Sequence, residues 1–256
     1  MILKLFLIIH TFVLAGLFDA DPNSAIRHKT ESFEQAESRN GQLNPKLWAD
    51  TSARSSATSY HSLDFSKLPK LHDVKIFFNK IRDERFLEPS TTPDFKRRNT
   101  WLLPHDGCWI RAALVNHLAK AWNRDQANKL FIFGELRVQT ENAEEGEVSW
   151  WYHVAPVVAD TNGKPWVLDP AINPRNSLEV KDWIKTMVPD LAEARYALCG
   201  PGAYGPASIC ENSEAIGSDR PLNDIEYYLE REWDNLNQLL RKPELELGEF
   251  PPWIVS

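Results

Sequence analysis

Three side chains have the types and the order that nucleophilic catalysis by a thiol requires. Cys108 can attack a carbonyl once its proton is removed, His153 can remove that proton, and Asp169 can orient the imidazole ring. Cys108 follows Asp106 and Gly107 at the start of a predicted helix, where unpaired backbone N–H groups favour a thiolate and a developing oxyanion. Each residue taken alone also fits a buried structural position, so only the ordered trio points to catalysis.

The cysteine count also separates Cys108 from the other two cysteines. Residues 1–20 place Lys4 before an apolar run, a pattern typical of a secretory signal peptide, with an uncleaved anchor or a buried strand as the alternatives. In a secreted or periplasmic protein, Cys199 and Cys210 can form a disulfide and leave Cys108 as the odd, free thiol. If Cys199 and Cys210 stay reduced, the number of cysteines does not distinguish Cys108 from them.

The composition excludes several classes of partner. With 256 residues, 43% of them hydrophobic, the chain can bury one sizeable core. A net charge of −7 gives no attraction to nucleic acid or to an anionic membrane, so we expect a polypeptide or a small neutral substrate. The seven histidines show no metal-ligand spacing, and no phosphate-binding loop is present, so we expect no metal and no cofactor. We also expect a monomer with no stable membrane association after signal cleavage.

The predicted elements place the trio on one helix and one hairpin. Apolar residues recur at helical spacing from 110 to 121, with Asp106 at the N-cap position. Strands are predicted at 130–133, 135–138, 150–158 and 166–168. The turn sequence at 160–163 joins the last two strands, so His153 and Asp169 lie near opposite ends of a hairpin. The predicted fold is α+β, with the Cys108 helix packed on an antiparallel β-sheet.

The rest of the chain is predicted to be one domain with an extended N-terminal region. Residues 21–66 are polar and rich in Ser and Thr, which indicates a polar linker or a pro-like segment. Residues 67–256 form a single catalytic domain with its core at 104–187. Residues 71–81 are a helix or a strand, and helices are predicted at 178–187 and 225–240.

Four sequence blocks occur in order around the trio: DGCWIRA at 106–112, FIFGELRV at 131–138, WYHVAPVV at 151–158 and WVLDP at 166–170. Together they resemble the protein-glutaminase family of secreted bacterial protein deamidases, over about residues 104–187. The resemblance implies a core similar to those of papain and transglutaminases. It also implies a protein-glutamine glutaminase, which hydrolyses the carboxamide of protein-bound Gln to Glu and releases ammonia through a triad of Cys108, His153 and Asp169.

Other conspicuous residues have less specific interpretations. His105 lies close to Cys108 in the chain and either lines the cleft or caps a loop, whereas His117 is expected to be a core histidine on the apolar side of the helix. Four tryptophans are candidates for a slot that holds a glutamine stem, with core packing as the simpler alternative; they are Trp101, Trp109, Trp150 and Trp151.

Three alternatives to a deamidase remain at this point. A cysteine peptidase or a transglutaminase-type acyl transferase uses the same trio with a different leaving group or acceptor. A non-catalytic exported binding protein that kept the fold would carry a Cys108 that does not react with iodoacetamide at neutral pH.

Overall fold

An antiparallel sheet forms the centre of the structure, which is a computed structural model describing residues 21–213 and 219–253. The strands are β1 Asn128–Gln139, β2 Glu147–Ala159, β3 Pro165–Val167, β4 Leu178–Glu179 and β5 Arg195–Cys199. They form one five-stranded sheet in the order β4-β3-β2-β1-β5. Each neighbouring pair is antiparallel. Together with the helices, this sheet confirms the predicted α+β class.

The α-helices of the described residues are α1 Phe33–Leu43, α2 Val74–Asp83, α3 Cys108–Ala121, α4 Val180–Lys185, α5 Asp219–Gln238 and α6 Pro243–Glu246. Short 3-10 helices lie at Pro45–Trp48, Tyr60–Ser62, Phe65–Lys67 and Leu191–Glu193. Helix α3 lies against β2, so the helix that begins at Cys108 packs on the strand that carries His153, as predicted. The segment at 71–81, which was predicted to be a helix or a strand, forms most of helix α2. Helix α4 is shorter than the helix predicted at 178–187. Residues 178 and 179 form β4 instead and pair with β3.

Two local irregularities shape the strands around the site. The strands predicted at 130–133 and 135–138 form the single strand β1, whose register with β2 shifts between Phe133 and Leu136. The predicted hairpin is confirmed, because Val157 of β2 pairs with Val167 of β3. Gly163 in its turn has a φ of +85°, a left-handed conformation that glycine adopts without steric cost. The hairpin brings the chain after β3 back alongside β2.

The loop after β5 is closed by the predicted disulfide. Cys199 and Cys210 are bonded across a sequence separation of 11. Cys108 is the free cysteine, as the count of three suggested, and it is buried. Buried Lys129 of β1 donates from Nζ to the carbonyl oxygen of Ala203 at 2.5 Å, which ties this loop to the sheet.

The N-terminal region differs from the predicted polar linker. Helix α1 begins with a capping box between Ser32 and Gln35, and the region contributes fully buried residues to the main core: Ala25, Ala36, Leu47, Ala53 and Ala57. The sequence pattern gave little sign of this packing, since small alanines and one isolated leucine make no apolar period. The alternative of a pro-like segment that is later removed stays a prediction.

The predicted signal peptide at 1–20 lies outside the described residues. Within 21–213 and 219–253, no helix is both long and apolar enough to span a bilayer.

Two leucines of the N-terminal region test whether it belongs to the core. Leu47 is 1% exposed in the main core, whereas Leu43 is 43% exposed. We expect Leu47→Ala to lower the free energy of unfolding by about 2–5 kcal/mol, because it leaves a cavity in packed surroundings. Leu43→Ala should change it by no more than about 0.5 kcal/mol. Denaturant unfolding measures both, and equal small effects would show that the region is a linker after all.

Candidate active site

Cys108 is the first residue of α3, and the backbone before it is tightly constrained. Gly107 has a φ of +78°, and a Cβ at this position would lie 3.0 Å from the ring of Tyr228 on α5. Glycine is therefore required both by the backbone conformation and by the close approach of the ring. The Tyr228 ring occupies the space next to Gly107. Helix α5 gave no sequence sign of this role.

Asp106 does not cap α3, which corrects the prediction. The N-cap position is Gly107, and no side chain bonds to the first turn. The Asp106 carboxylate instead accepts hydrogen bonds from Gly107 N at 2.9 Å, Ser24 Oγ at 2.9 Å and Ala25 N at 3.0 Å. Burial raises the pKa of Asp106 to about 7 despite these bonds. Asp106 thus fastens the N-terminal region to the loop before Cys108.

His153 and Asp169 form a buried pair. His153 Nε2 lies 2.8 Å from Asp169 Oδ2, and the two side chains are 1% and 6% exposed. Trp183 of α4 donates from Nε1 to the same carboxylate oxygen at 3.0 Å. Burial alone would raise the pKa of Asp169, but attraction to His153 and the hydrogen bonds from His153 and Trp183 hold it below its usual value. The carboxylate is therefore ionised at neutral pH and able to orient the imidazole.

The third member of the predicted trio lies beside this pair. The Cys108 thiol accepts a hydrogen bond from the backbone N–H of Val154, the residue that follows His153 on β2. Nε2 of His153 faces Asp169, so the other nitrogen of the imidazole, Nδ1, is not used in that contact. Among the described residues, Nδ1 has no hydrogen-bond partner. The structure therefore brings the three predicted side chains together from α3, β2 and the segment after β3. Nδ1 is the ring nitrogen available for proton exchange.

The thiol is not activated in this arrangement. Burial raises the pKa of Cys108 to about 12, and the nearby charge of Arg111 opposes this shift only in part. Burial therefore outweighs any stabilisation of a thiolate by the helix start, and Cys108 is neutral at pH 7 in this buried site. A reacting Cys108 has to give its proton directly to a base or become exposed first.

Residues 23–25 pack against β2 and the loop before Cys108. Trp151 donates from its backbone N to Ala25 O at 3.0 Å and from Nε1 to Ser24 O at 2.7 Å. The Tyr152 hydroxyl donates to Asn23 O. In each of these hydrogen bonds, a backbone carbonyl of residues 23–25 accepts from a side chain or a backbone N–H of β2. The segment lies as an extra extended stretch against the strand that carries His153.

Arg111 is a site residue that the sequence argument did not single out. It is buried in α3, and its Nη1 donates to Leu103 O at 2.9 Å and to Asp106 O at 2.6 Å. The guanidinium therefore fixes the loop before Cys108, and its charge lowers the thiol pKa. An arginine among the apolar residues of the first two helical turns was the available sequence signal.

The predicted tryptophan slot is not formed. Trp101, Trp109, Trp150 and Trp151 are all buried in the core. Trp109 packs edge-on against Tyr228, with ring centroids 5.8 Å apart, and Trp150 stacks on His153. Core packing, the simpler alternative, is the observed one.

The other predicted histidines have no catalytic contact. Burial lowers the pKa of His105 to about 4, so its imidazole is neutral, and its carbonyl accepts from Trp150 Nε1. His117 is only partly buried and stacks on Phe86 with ring centroids 6.0 Å apart, so it lies at the edge of the core. Across the described parts of the chain, no group of three or more His, Cys, Asp or Glu side chains is arranged to hold a metal ion.

The site combines a thiol at a helix start with a buried histidine and carboxylate beside an antiparallel sheet. Cysteine-dependent amide hydrolases and acyl transferases use this combination of groups. Residues 74–187, which contain all three side chains, match the family model described as Glutaminase. This match covers less than half of the chain and agrees with the resemblance of the sequence motifs to the protein-glutaminase family. No curated protein matches the chain significantly.

Solved protein-glutaminases are similar to this chain at low identity. The chain of "Crystal structure of pro- protein-glutaminase" is 22% identical, with a TM-score of 0.47, over 63% of this chain and 59% of that one. The chain of "Crystal Structure of Protein-glutaminase" is 22% identical, with a TM-score of 0.46, over 63% of this chain and 90% of that one. The NMR structure of protein-glutaminase from Chryseobacterium proteolyticum is 20% identical, with a TM-score of 0.39, over 60% and 96%. The aligned region thus spans less than two thirds of the pro-protein-glutaminase chain.

The buried carboxyl of Asp106 makes a testable contribution to the pH dependence of stability. Because its pKa is raised from 3.8 to about 7 in the folded state, its stabilising contribution is present below pH 3.8 and is lost as the pH rises through about 7. The substitution Asp106→Asn keeps the shape of the side chain and one acceptor oxygen. We expect it to remove the part of the decrease in stability between pH 3.8 and about 7 that Asp106 causes.

The measurement is the free energy of unfolding by denaturant at several pH values from 4 to 8. Exposed Asp182, on the first turn of α4, provides the control Asp182→Asn with the same change of charge. If the free energy of unfolding depends on pH in the same way in the wild type and in Asp106→Asn, the raised pKa of Asp106 is contradicted.

Proposed function

We propose that this chain is an exported protein-glutamine deamidase, which hydrolyses the side-chain amide of protein-bound Gln to Glu and releases ammonia. The observation that carries the proposal is the 2.8 Å contact between His153 Nε2 and Asp169 Oδ2, beside the Cys108 thiol and inside the segment that matches the glutaminase family. The disulfide between Cys199 and Cys210 supports export, since such bonds persist in oxidising compartments. Residues 1–20 would be the secretory signal.

In the first half-reaction, His153 Nδ1 takes the proton of Cys108 as the sulfur attacks the Cδ carbon of the glutamine side chain. Backbone N–H at the start of α3, including that of Cys108, stabilises the negative charge on the amide oxygen. The proton then passes from His153 to the departing NH2 group, ammonia leaves, and a thioester joins Cys108 to the substrate. Asp169 stabilises the imidazolium and keeps the ring in place throughout.

In the second half-reaction, His153 Nδ1 takes a proton from water, and the resulting hydroxide attacks the thioester carbon. The carbon–sulfur bond breaks, the sulfur regains a proton from His153, and the product is a glutamate side chain. Water is the acceptor in this scheme, whereas a transglutaminase would use an amine and a peptidase would cleave the backbone amide. Because Cys108 is buried, this scheme requires a movement that exposes the sulfur before substrate binds. Residues 23–25, which pack on β2, and Tyr228, which lies against Gly107, are the candidates for that movement.

We expect ammonia release from a glutamine-rich protein to require each member of the trio. Cys108→Ala should abolish it, and Asp169→Asn should lower kcat by about 10²–10⁴-fold, because the imidazole loses its orienting carboxylate. His153→Ala should lower kcat at least about 10³-fold. His117→Ala is the matched control, since this histidine is remote from the trio and stacks on Phe86.

The assay follows ammonia together with the mass of the substrate, which should rise by about one dalton per converted Gln. Backbone fragments would support a peptidase, and cross-linked species a transglutaminase. Equal activity in the wild type and Cys108→Ala would contradict the proposal. No ammonia release by any of the proteins, the wild type included, would support a binding protein.

A further inference from the structure

We propose that Trp150 is a positioning residue that holds the His153 imidazole in a fixed relation to the loop before Cys108. This inference rests on the proposed function for its kinetic consequence. Trp150 belongs to β2 and takes no part in the chemical steps described above. Its side chain contacts both the base and the chain that leads to the nucleophile.

The indole ring of Trp150 lies flat on the imidazole. The two ring centroids are 4.6 Å apart with an interplanar angle of 11°. On another side, the imidazole meets the ring of Trp183, with centroids 5.6 Å apart and an angle of 32°. Stacking on these rings restricts rotation of the imidazole about its own side-chain bonds, and an electron-rich indole face stabilises the imidazolium that forms during proton transfer.

The indole N–H of Trp150 makes the second connection. Nε1 donates to Pro104 O and to His105 O, each at 3.1 Å. These carbonyls belong to the loop that runs into Cys108, and Arg111 ties the same loop through Leu103 O and Asp106 O. A shift of this loop relative to β2 would therefore break the bonds to Trp150. No other natural side chain offers a large stacking face together with an N–H in this position.

The pairing of β1 with β2 is irregular where Trp150 and His153 lie. Residues three apart in a regular strand point to opposite faces, so their rings do not stack. Here the register of β2 with β1 shifts between Phe133 and Leu136, where β1 carries an extra residue opposite the stretch between Trp150 and Tyr152. Such a bulge bends the strand that carries it and increases the local twist of the strand pair. The irregularity in β1 thus lies opposite the part of β2 that carries the stacked pair.

Two substitutions separate the two connections. Trp150→Leu removes both the stacking face and the N–H, whereas Trp150→Phe keeps an aromatic face and removes only the N–H.

Trp101→Phe is the matched control, because Trp101 is equally buried but packs in a separate core cluster with Phe78 and Ile81 of α2. We expect Trp150→Leu to lower kcat about 100-fold and Trp150→Phe about tenfold, both with KM within about threefold of wild type. Trp101→Phe should stay within about twofold in both constants.

A second readout does not depend on deamidase activity. A histidine N–H bonded to a buried carboxylate gives a proton resonance far downfield in NMR spectra, and Asp169→Asn assigns it to His153 by its loss. We expect this resonance in the wild type, Trp101→Phe and Trp150→Phe, and its loss or broadening in Trp150→Leu, where the ring is no longer held.

An unchanged resonance in Trp150→Leu, or an unchanged kcat in both Trp150 variants, would overturn the inference. So would a loss of kcat in Trp101→Phe as large as in Trp150→Phe. If Trp150→Leu does not fold, the kcat and KM of Trp150→Phe decide. A wild-type protein that releases no ammonia would overturn the proposed function, while the resonance would still decide the role of Trp150.

Discussion

The hydrogen bond between His153 Nε2 and Asp169 Oδ2 joins two polar side chains in the protein interior, where each needs the other. An imidazole and a carboxylate are costly to bury without partners, and at 2.8 Å each satisfies the other. Trp183 adds a second donor to the carboxylate, and Trp150 covers the ring face. Strands β2 and β3 and helix α4 must therefore keep their relative positions. The hairpin register and the packing of α4 follow from this requirement.

The burial that protects this pair also suppresses the reactivity of Cys108. Its thiol shares the interior with Asp169 and Asp106, so removing the proton is unfavourable unless the imidazole receives it. Asn23 accepts a hydrogen bond from Tyr152, and Tyr228 lies against Gly107, so both pack next to the elements that hold Cys108. The structure thus combines an assembled His–Asp pair with a buried thiol. The proposed mechanism therefore requires exposure of the thiol rather than a rearrangement of the pair.

The sequence predicted those parts of the fold and site that depend on local patterns. The helix after Cys108 and the hairpin between His153 and Asp169 are encoded by apolar spacing and by a turn with Gly163, and the cysteine count identified the disulfide. The packing of the N-terminal region and the position of Tyr228 were not predicted. They depend on contacts between segments far apart in the chain, made by alanines, carbonyls and one ring, which leave no periodic signal.

The most direct test of the account is deamidation in ¹⁸O-labelled water, read by mass spectrometry of the substrate protein. Hydrolysis through a thioester predicts a gain of about three daltons at each converted Gln side chain, because NH2 is replaced by labelled OH from the solvent. The backbone should remain intact and no cross-links should form. Label found at new chain ends, or loss of ammonia through cross-links without label, would contradict the account.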